Sequence, residues 1–248
     1  MIYCTIEMTD ISKVRQTIGF MHRLEPHEQV KEQALQLTPT DHLDLLRAWQ
    51  ADRLERTYTD LLAIPRYEPA CRFFLDDVYA AKDFRQRDHE IKHLYAIMSR
   101  FLPDFLLKLV KKVIELDDLT NELDEALLAA LRHDLGVTER ITAKLYAEGY
   151  RVCNNYSERA YQIELINEVG HMVNTTTRIP LVATTLKVAR GPVSRAGWHE
   201  LHNWIERGFT AFQHMHGGEE FLSTIYEREM YILGRIFAGD PEPFKPYL

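Results

Sequence analysis

Apolar residues recur along most of the chain with the period of an α-helix. In Glu219–Phe237 they return at intervals of three, four and seven positions, which is typical of a helix with one buried face. Comparable patterns predict roughly ten helices joined by short connections. No long stretch alternates between apolar and polar residues, as a β-strand would. We therefore predict an all-α fold, a single multi-helix domain of packed, mostly antiparallel neighbours.

Prolines, glycines and capping residues divide this pattern into segments. Residues 1–38 are weakly patterned, residues 39–240 form the predicted helical domain, and residues 241–248 are a predicted C-terminal tail. Gly191–Pro192 and Gly217–Gly218 are interpreted as breaks between the last three helices. The predicted helices of the domain are Asp41–Leu62, Ala70–Ala81, a helix capped by Asp83, a helix that starts at Pro103, Asp118–Leu131, Thr138–Tyr150, Ser157–Val173, Ile179–Arg190, Pro192–Met215 and Glu219–Phe237.

One carboxylate interrupts the apolar face of the last predicted helix. At about 100° per residue, Glu229 falls in the middle of the apolar stripe, where a carboxylate must be paired, hydrogen-bonded or protonated. On an earlier helix, Arg159 and Gln162 project onto an apolar arc in the same way. We predict that Glu229 pairs with Arg159, or otherwise with Arg72 or Arg87. Gln162 would complete this buried polar network.

Two roles are compatible with such a network, and a third interpretation is that no buried network exists. A structural network would fix how the helices pack against each other. Alternatively, the same side chains would form the floor of a polar pocket that holds a ligand or moves protons. If the local periodicity is misleading, Glu229 is simply exposed to solvent.

Composition and charge exclude several classes of protein. The 248 residues are 46% hydrophobic, which supplies a sizeable core and argues against disorder. The formal net charge is -7 and no Lys/Arg run is longer than Lys111–Lys112, so the chain is not a typical nucleic-acid binder. The longest apolar stretch, residues 101–116, is interrupted by charged residues, and we predict no membrane span.

Cysteine usage and the first residues predict a cytoplasmic protein. Cys4, Cys71 and Cys153 are widely spaced, which is typical of reduced thiols rather than of a disulfide framework. Residues 1–13 contain acidic residues and lack the apolar stretch of a signal peptide.

An alternative site rests on two Glu-x-x-His spacings. Glu90/His93 and Glu168/His171 match the spacing found in four-helix bundles that bind two iron or manganese ions. Composition alone predicts about one such spacing by chance, so two are unremarkable. Glu168 and His171 also share the face opposite the core stripe of their helix. We therefore expect no metal or other cofactor. The additional carboxylates of such a centre would be Glu55 and either Glu122 or Glu125.

Two single residues stand out on the apolar face of the predicted helix Pro192–Met215. His202 lies beside Trp198 and Phe209, and it is the histidine best placed to ligate a haem. Gly208 lies on the same face, where a residue without a side chain allows close approach of a neighbouring helix or of a second subunit.

Three segments carry a family resemblance. Residues 73–79, 83–88 and 100–103 read Phe-Phe-Leu-Asp-Asp-Val-Tyr, Asp-Phe-Arg-Gln-Arg-Asp and Arg-Phe-Leu-Pro. They resemble a family of uncharacterised, all-helical proteobacterial proteins with the signature Phe-Phe-Leu-x-Asp-x-Tyr … Asp-Phe-x-x-Arg-Asp. The resemblance covers about residues 68–238, including the Arg228–Glu229 pair. It implies no activity, cofactor or catalytic residue, and the two Glu-x-x-His spacings lie outside its pattern.

These observations favour a non-enzymatic binding or interaction protein. Its partner would be a small molecule, another protein or a second copy of the chain in a homodimer. The competing class is a di-iron or di-manganese carboxylate oxidoreductase built on Glu90, His93, Glu168 and His171. Only the oxidoreductase requires a stoichiometric metal.

Overall fold

The computed structural model describes residues 41–78, 103–137, 139–195, 199–245 and 247. Within these ranges the chain forms nine α-helices and no strand, which confirms the all-α prediction. The segment 1–38 and the helix predicted to begin at Asp83 lie outside the described residues. The helices are α1 Asp41–Thr57, α2 Thr59–Leu62, α3 Glu68–Phe73, α4 Asp104–Ala129, α5 Ala143–Cys153, α6 Tyr156–Thr177, α7 Pro180–Arg195, α8 His199–His214 and α9 Glu219–Phe237.

The bounds of α9 are as predicted from the sequence, whereas those of α3, α4, α5, α7 and α8 differ from the prediction. Helix α4 is continuous, whereas the sequence predicts that a new helix begins at Asp118. The helix contains no glycine or proline that would interrupt its hydrogen bonds. Helix α7 continues through Gly191–Pro192 to Arg195, so the predicted break at that pair is wrong. Proline removes one N–H donor, but its φ angle is compatible with a helix.

The core formed by the described residues consists of two apolar clusters. One lies among α1, α4, α5 and α9 and includes Leu46, Leu127 and Ile236. The other lies among α2, α3, α8 and the start of α9 and includes Phe212 and Phe221. Helix α6 packs against both α4 and α9. The middle of the bundle is therefore bounded by α1, α4, α5, α6 and α9.

The end of the chain contributes to the first cluster. Phe244 is buried and lies within 6.1 Å of Tyr146, measured between ring centroids. The sequence places residues 241–248 outside the helical domain as a tail, whereas Phe244 is part of its core. A single large aromatic side chain in a segment without periodicity gives no signal of burial.

No helix in the described ranges is long and apolar enough to cross a membrane.

Gly208 allows α8 to lie directly against α3. A Cβ atom at this position would be 2.7 Å from Cζ of Phe73. Such an approach is too close for any side chain unless the ring moves. The close approach of a neighbouring helix predicted from Gly208 is therefore confirmed.

The variant Gly208→Ala is expected to lower the free energy of unfolding by about 1 kcal/mol. Overpacking against Phe73 costs about 1–3 kcal/mol, and the higher helix propensity of alanine offsets about 1 kcal/mol of it. Urea denaturation measures the difference. In a Phe73→Leu background the same alanine should be neutral or stabilising. An equal loss in both backgrounds would show that the Phe73 ring is not the cause.

Candidate functional site

A cavity of about 120 Å³ lies in the middle of the bundle, where the two apolar clusters meet. Its apolar lining includes Ile163, Ile166 and Ile225, together with Phe221. Side chains from α1, α4, α5, α6 and α9 also bring polar groups to its surface. The polar residues of the lining are Gln50, Arg53, Tyr58, Thr120, Asp124, Tyr146, Tyr150, Arg159, Gln162, Asn167, Tyr226 and Glu229.

Glu229 pairs with an arginine of α1. Nη1 of Arg53 donates to Oε1 of Glu229 at 2.5 Å, and the hydroxyl of Tyr58 donates to the same oxygen at 2.7 Å. The predicted pairing with Arg159 is therefore wrong. Arg72 instead pairs with the exposed Glu55, and Arg87 lies outside the described residues. The carboxylate is mostly buried, its side chain being 16% exposed.

Arg159 and Gln162 are buried, as their position on the apolar arc of α6 predicts. Nη2 of Arg159 donates to the carbonyl oxygen of Leu123 at 2.7 Å, and Nη1 donates to Oε1 of Gln162 at 3.1 Å. Gln162 in turn donates to the hydroxyl of Thr120 at 2.9 Å. The guanidinium also lies 4.5 Å from the ring centroid of Tyr150. These contacts attach α6 to α4 and α5.

Asp124 connects this group to α1. Its Oδ1 lies 3.6 Å from Nη1 of Arg159 and accepts a hydrogen bond from Nε2 of Gln50 at 3.1 Å. The same Gln50 nitrogen lies 3.5 Å from the hydroxyl of Tyr146, which is 3.0 Å from the hydroxyl of Tyr150. Polar contacts thus run from α6 through α4 to α1 and α5.

Burial and neighbouring charges set the ionisation of these groups. Burial raises the pKa of Asp124 above the usual range of a carboxyl group, although Arg159 acts in the opposite direction. Burial also raises the pKa of Tyr150 well above its usual value. For Arg53, burial acts to lower the pKa, but the charge and hydrogen bond of Glu229, together with Tyr146 and Tyr58, outweigh burial and the pKa is raised. The pKa of Arg159 is raised as well, so Arg53 and Arg159 are both cations at neutral pH. Asp124 binds a proton more readily than an ordinary aspartate.

Two buried arginines leave a donor unused. Arg53 and Arg159 are 7% and 3% exposed, and the Nε–H of each has no acceptor among the described residues. Oδ1 of Asn167 likewise has no donor in that part of the chain. A buried donor without an acceptor costs about 1–3 kcal/mol, so an acceptor inside the cavity would be stabilising.

A surface groove of about 570 Å³ lies on the other side of the cavity wall. It runs along α6 and is lined by Phe105, Glu168 and His171 among others. Asn167 and Tyr226 line both the groove and the cavity. These two side chains therefore lie at the boundary between the cavity and the groove.

The described candidate ligands of the alternative metal site do not come together in one place. Glu168 lies 3.2 Å from Nζ of Lys112, and it lines the groove together with His171. The described residues contain no group of three His, Cys, Asp or Glu side chains that could hold a metal ion. Glu90 and His93 lie outside the described residues. The additional carboxylates are all exposed: Glu55, Glu122 and Glu125.

His202, the candidate haem ligand, is buried on α8. Its Nε2 lies 2.9 Å from the carbonyl oxygen of Leu186 on α7. Its Nδ1 lies 4.0 Å from Glu206, one turn further along the helix. The contact with Leu186 gives His202 a structural role between α7 and α8.

Sequence reasoning missed Arg53 and Asp124, although the signal was present. Arg53 follows the buried Leu46 by seven residues, so the helical period places both on one face. Asp124 precedes the buried Leu127 by three residues and Leu131 by seven, so the helical period places all three on one face. The argument that identified Glu229 therefore applies equally to α1 and α4.

Comparison with known proteins gives one match. A family model described as Domain of unknown function (DUF8198) matches residues 28–243. No curated protein and no solved structure matches the chain. The match confirms the expected membership of an uncharacterised family, and it begins within the weakly patterned segment 1–38. The proteobacterial origin suggested by the signature stays a prediction.

Proposed function

Because this chain belongs to the family described as Domain of unknown function (DUF8198), whose description carries no activity, we propose a function from the site itself. The protein is a binding protein that holds a small organic molecule in the central cavity. The observation that supports this proposal most is that two buried arginines of the cavity wall, Arg53 and Arg159, each have an Nε–H without an acceptor in the described part of the chain.

The composition of the cavity wall supports ligand binding. Ligand pockets are mostly apolar, with a few convergent polar groups that orient the ligand. Here Ile163, Ile166 and Ile225 supply apolar surface, while Arg53 and Arg159 supply directed donors. A network that served packing alone would be expected to satisfy each buried donor, since an unsatisfied one destabilises the fold. The unused donors therefore favour a pocket over a purely structural network.

The groove supports a route for the ligand. Asn167 and Tyr226 are shared by the two surfaces, and Tyr226 is half-buried. Rotamer changes of exposed side chains take picoseconds to nanoseconds, whereas collective movements of whole helices take microseconds to milliseconds. Movement of these two side chains would connect the cavity to the groove without separating the helices.

A variant that fills the cavity tests the proposal. We expect Ile166→Phe to fold, because its larger side chain enters existing space, and to lose ligand binding. The measurement is the shift in Tm that a library of small organic fragments produces in the native protein and in the variant. The control is Val188→Phe, which adds the same ring at an exposed position of α7. The proposal fails when every fragment that stabilises the native protein stabilises Ile166→Phe equally, or when none stabilises either.

Metal analysis separates this proposal from the oxidoreductase. Protein purified without a histidine tag should contain no stoichiometric iron or manganese. About two such ions per chain, the content of a di-metal carboxylate centre, would instead support the site built on Glu90, His93, Glu168 and His171.

A further inference from the structure

We propose that the ligand of the central cavity is a small monocarboxylate with a short, branched apolar body. This inference rests on the proposed binding function and assigns its chemical class. The carboxylate would lie against the Nε–H donors of Arg53 and Arg159, and the body would lie against Ile163, Ile166 and Ile225.

The unused donors indicate an anionic acceptor. A carboxylate has two oxygens with about four lone pairs, so it accepts from two arginines at once. Both arginines line the same cavity, and the guanidinium of Arg159 lies 4.5 Å from the ring centroid of Tyr150 in its wall. A neutral amide or alcohol offers one acceptor oxygen and brings donors that these arginines do not accept.

The charges of the wall indicate a single negative charge on the ligand. Arg53 is already paired with Glu229 at 2.5 Å. The nearest carboxylate to Arg159 is that of Asp124, at 3.6 Å, which is longer than a charge-assisted hydrogen bond of about 2.7–2.9 Å. Arg159 is thus the cation of the wall that lacks a hydrogen-bonded carboxylate. One carboxylate on the ligand would pair with it, whereas the second charge of a dianion would find no further cation in the wall.

The size of the cavity limits the body of the ligand. A cavity of about 150 Å³ holds benzene, with its six carbon atoms. At about 120 Å³, the present cavity accommodates roughly five or six non-hydrogen atoms. Isobutyrate has this size, and its branched body suits the isoleucine side chains of the lining. Benzoate, with three more non-hydrogen atoms, is too large.

The experiment compares three probes of defined chemistry on the full chain at pH 7. Isobutyrate, isobutyramide and benzoate are titrated, and binding is followed by saturation-transfer NMR and by the shift in Tm. We expect isobutyrate to bind at least about tenfold more tightly than isobutyramide, a difference of about 1.4 kcal/mol. Benzoate should not bind.

Two arginine variants locate the carboxylate. Arg53→Lys keeps the cation beside Glu229 and removes the Nε–H, so isobutyrate should bind at least about tenfold more weakly. The control is Arg228→Lys, because Arg228 pairs with the exposed Asp60 outside the cavity lining. It should leave the affinity unchanged. The comparison of probes on the native protein stands even if Arg53→Lys folds poorly.

The outcomes distinguish the two proposals. Isobutyramide binding as tightly as isobutyrate, or Arg53→Lys binding isobutyrate like the native protein, would overturn the carboxylate class. Absence of binding by all three probes would also overturn it. In each case the binding function stands if library fragments stabilise the native protein but not Ile166→Phe. It fails if the fragments stabilise both proteins equally or stabilise neither.

Discussion

Replacing Glu229 with leucine is expected to lower the free energy of unfolding by about 3–5 kcal/mol. The substitution leaves the guanidinium of Arg53 buried without its anion and removes the acceptor of the Tyr58 hydroxyl. The cost comes mainly from the unpaired buried charge rather than from the lost attraction, because desolvation of a charge is expensive. Urea denaturation followed by circular dichroism measures the effect.

Two controls show whether burial of the ion pair is the cause. Glu227→Leu changes an exposed glutamate on the same helix and should alter stability by less than about 0.5 kcal/mol. The double variant Arg53→Met/Glu229→Leu removes both charges and should recover most of the loss. If Glu229→Leu behaves like Glu227→Leu, Arg53 and Glu229 do not form a buried pair.

Replacing Arg159 with methionine is expected to cost about 3–5 kcal/mol at pH 8, and less at lower pH. The change leaves the carbonyl of Leu123 without its donor and Asp124 without its nearby cation. Burial already raises the pKa of Asp124, and loss of Arg159 raises it further. A carboxyl group whose pKa is raised by folding contributes stability below its unfolded pKa of about 4 and loses it as the pH rises through the folded pKa.

The pH dependence identifies the group responsible. Stability of Arg159→Met should fall relative to the native protein as the pH is raised from about 4 to 8. The matched control is Asp124→Asn/Arg159→Met, in which the titrating carboxyl group is absent. Its stability relative to the native protein should depend much less on pH over the same range. Equal pH dependence in both variants would show that Asp124 is not the group that titrates.

Local periodicity was sufficient for part of the candidate site. The bounds of α9 and the burial of Arg159 and Gln162 follow from which residues share a helix face, which depends only on residues within a few turns. The same argument would have identified Arg53 and Asp124. The continuity of α4 and α7 was missed, because a proline or a cluster of acidic residues is a weak signal against an otherwise helical pattern.

The sequence by itself determined that this protein is all-helical and that charged side chains lie on the apolar faces of several helices. The tertiary structure alone decided which of them meet. Glu229 and Arg53 are 176 residues apart, and their contact depends on the order and crossing of α1 and α9 in the bundle. The cavity was equally beyond prediction, since it is the space left among five helices. Its volume depends on how their side chains interlock, and a repeating pattern within one helix carries no information about that packing.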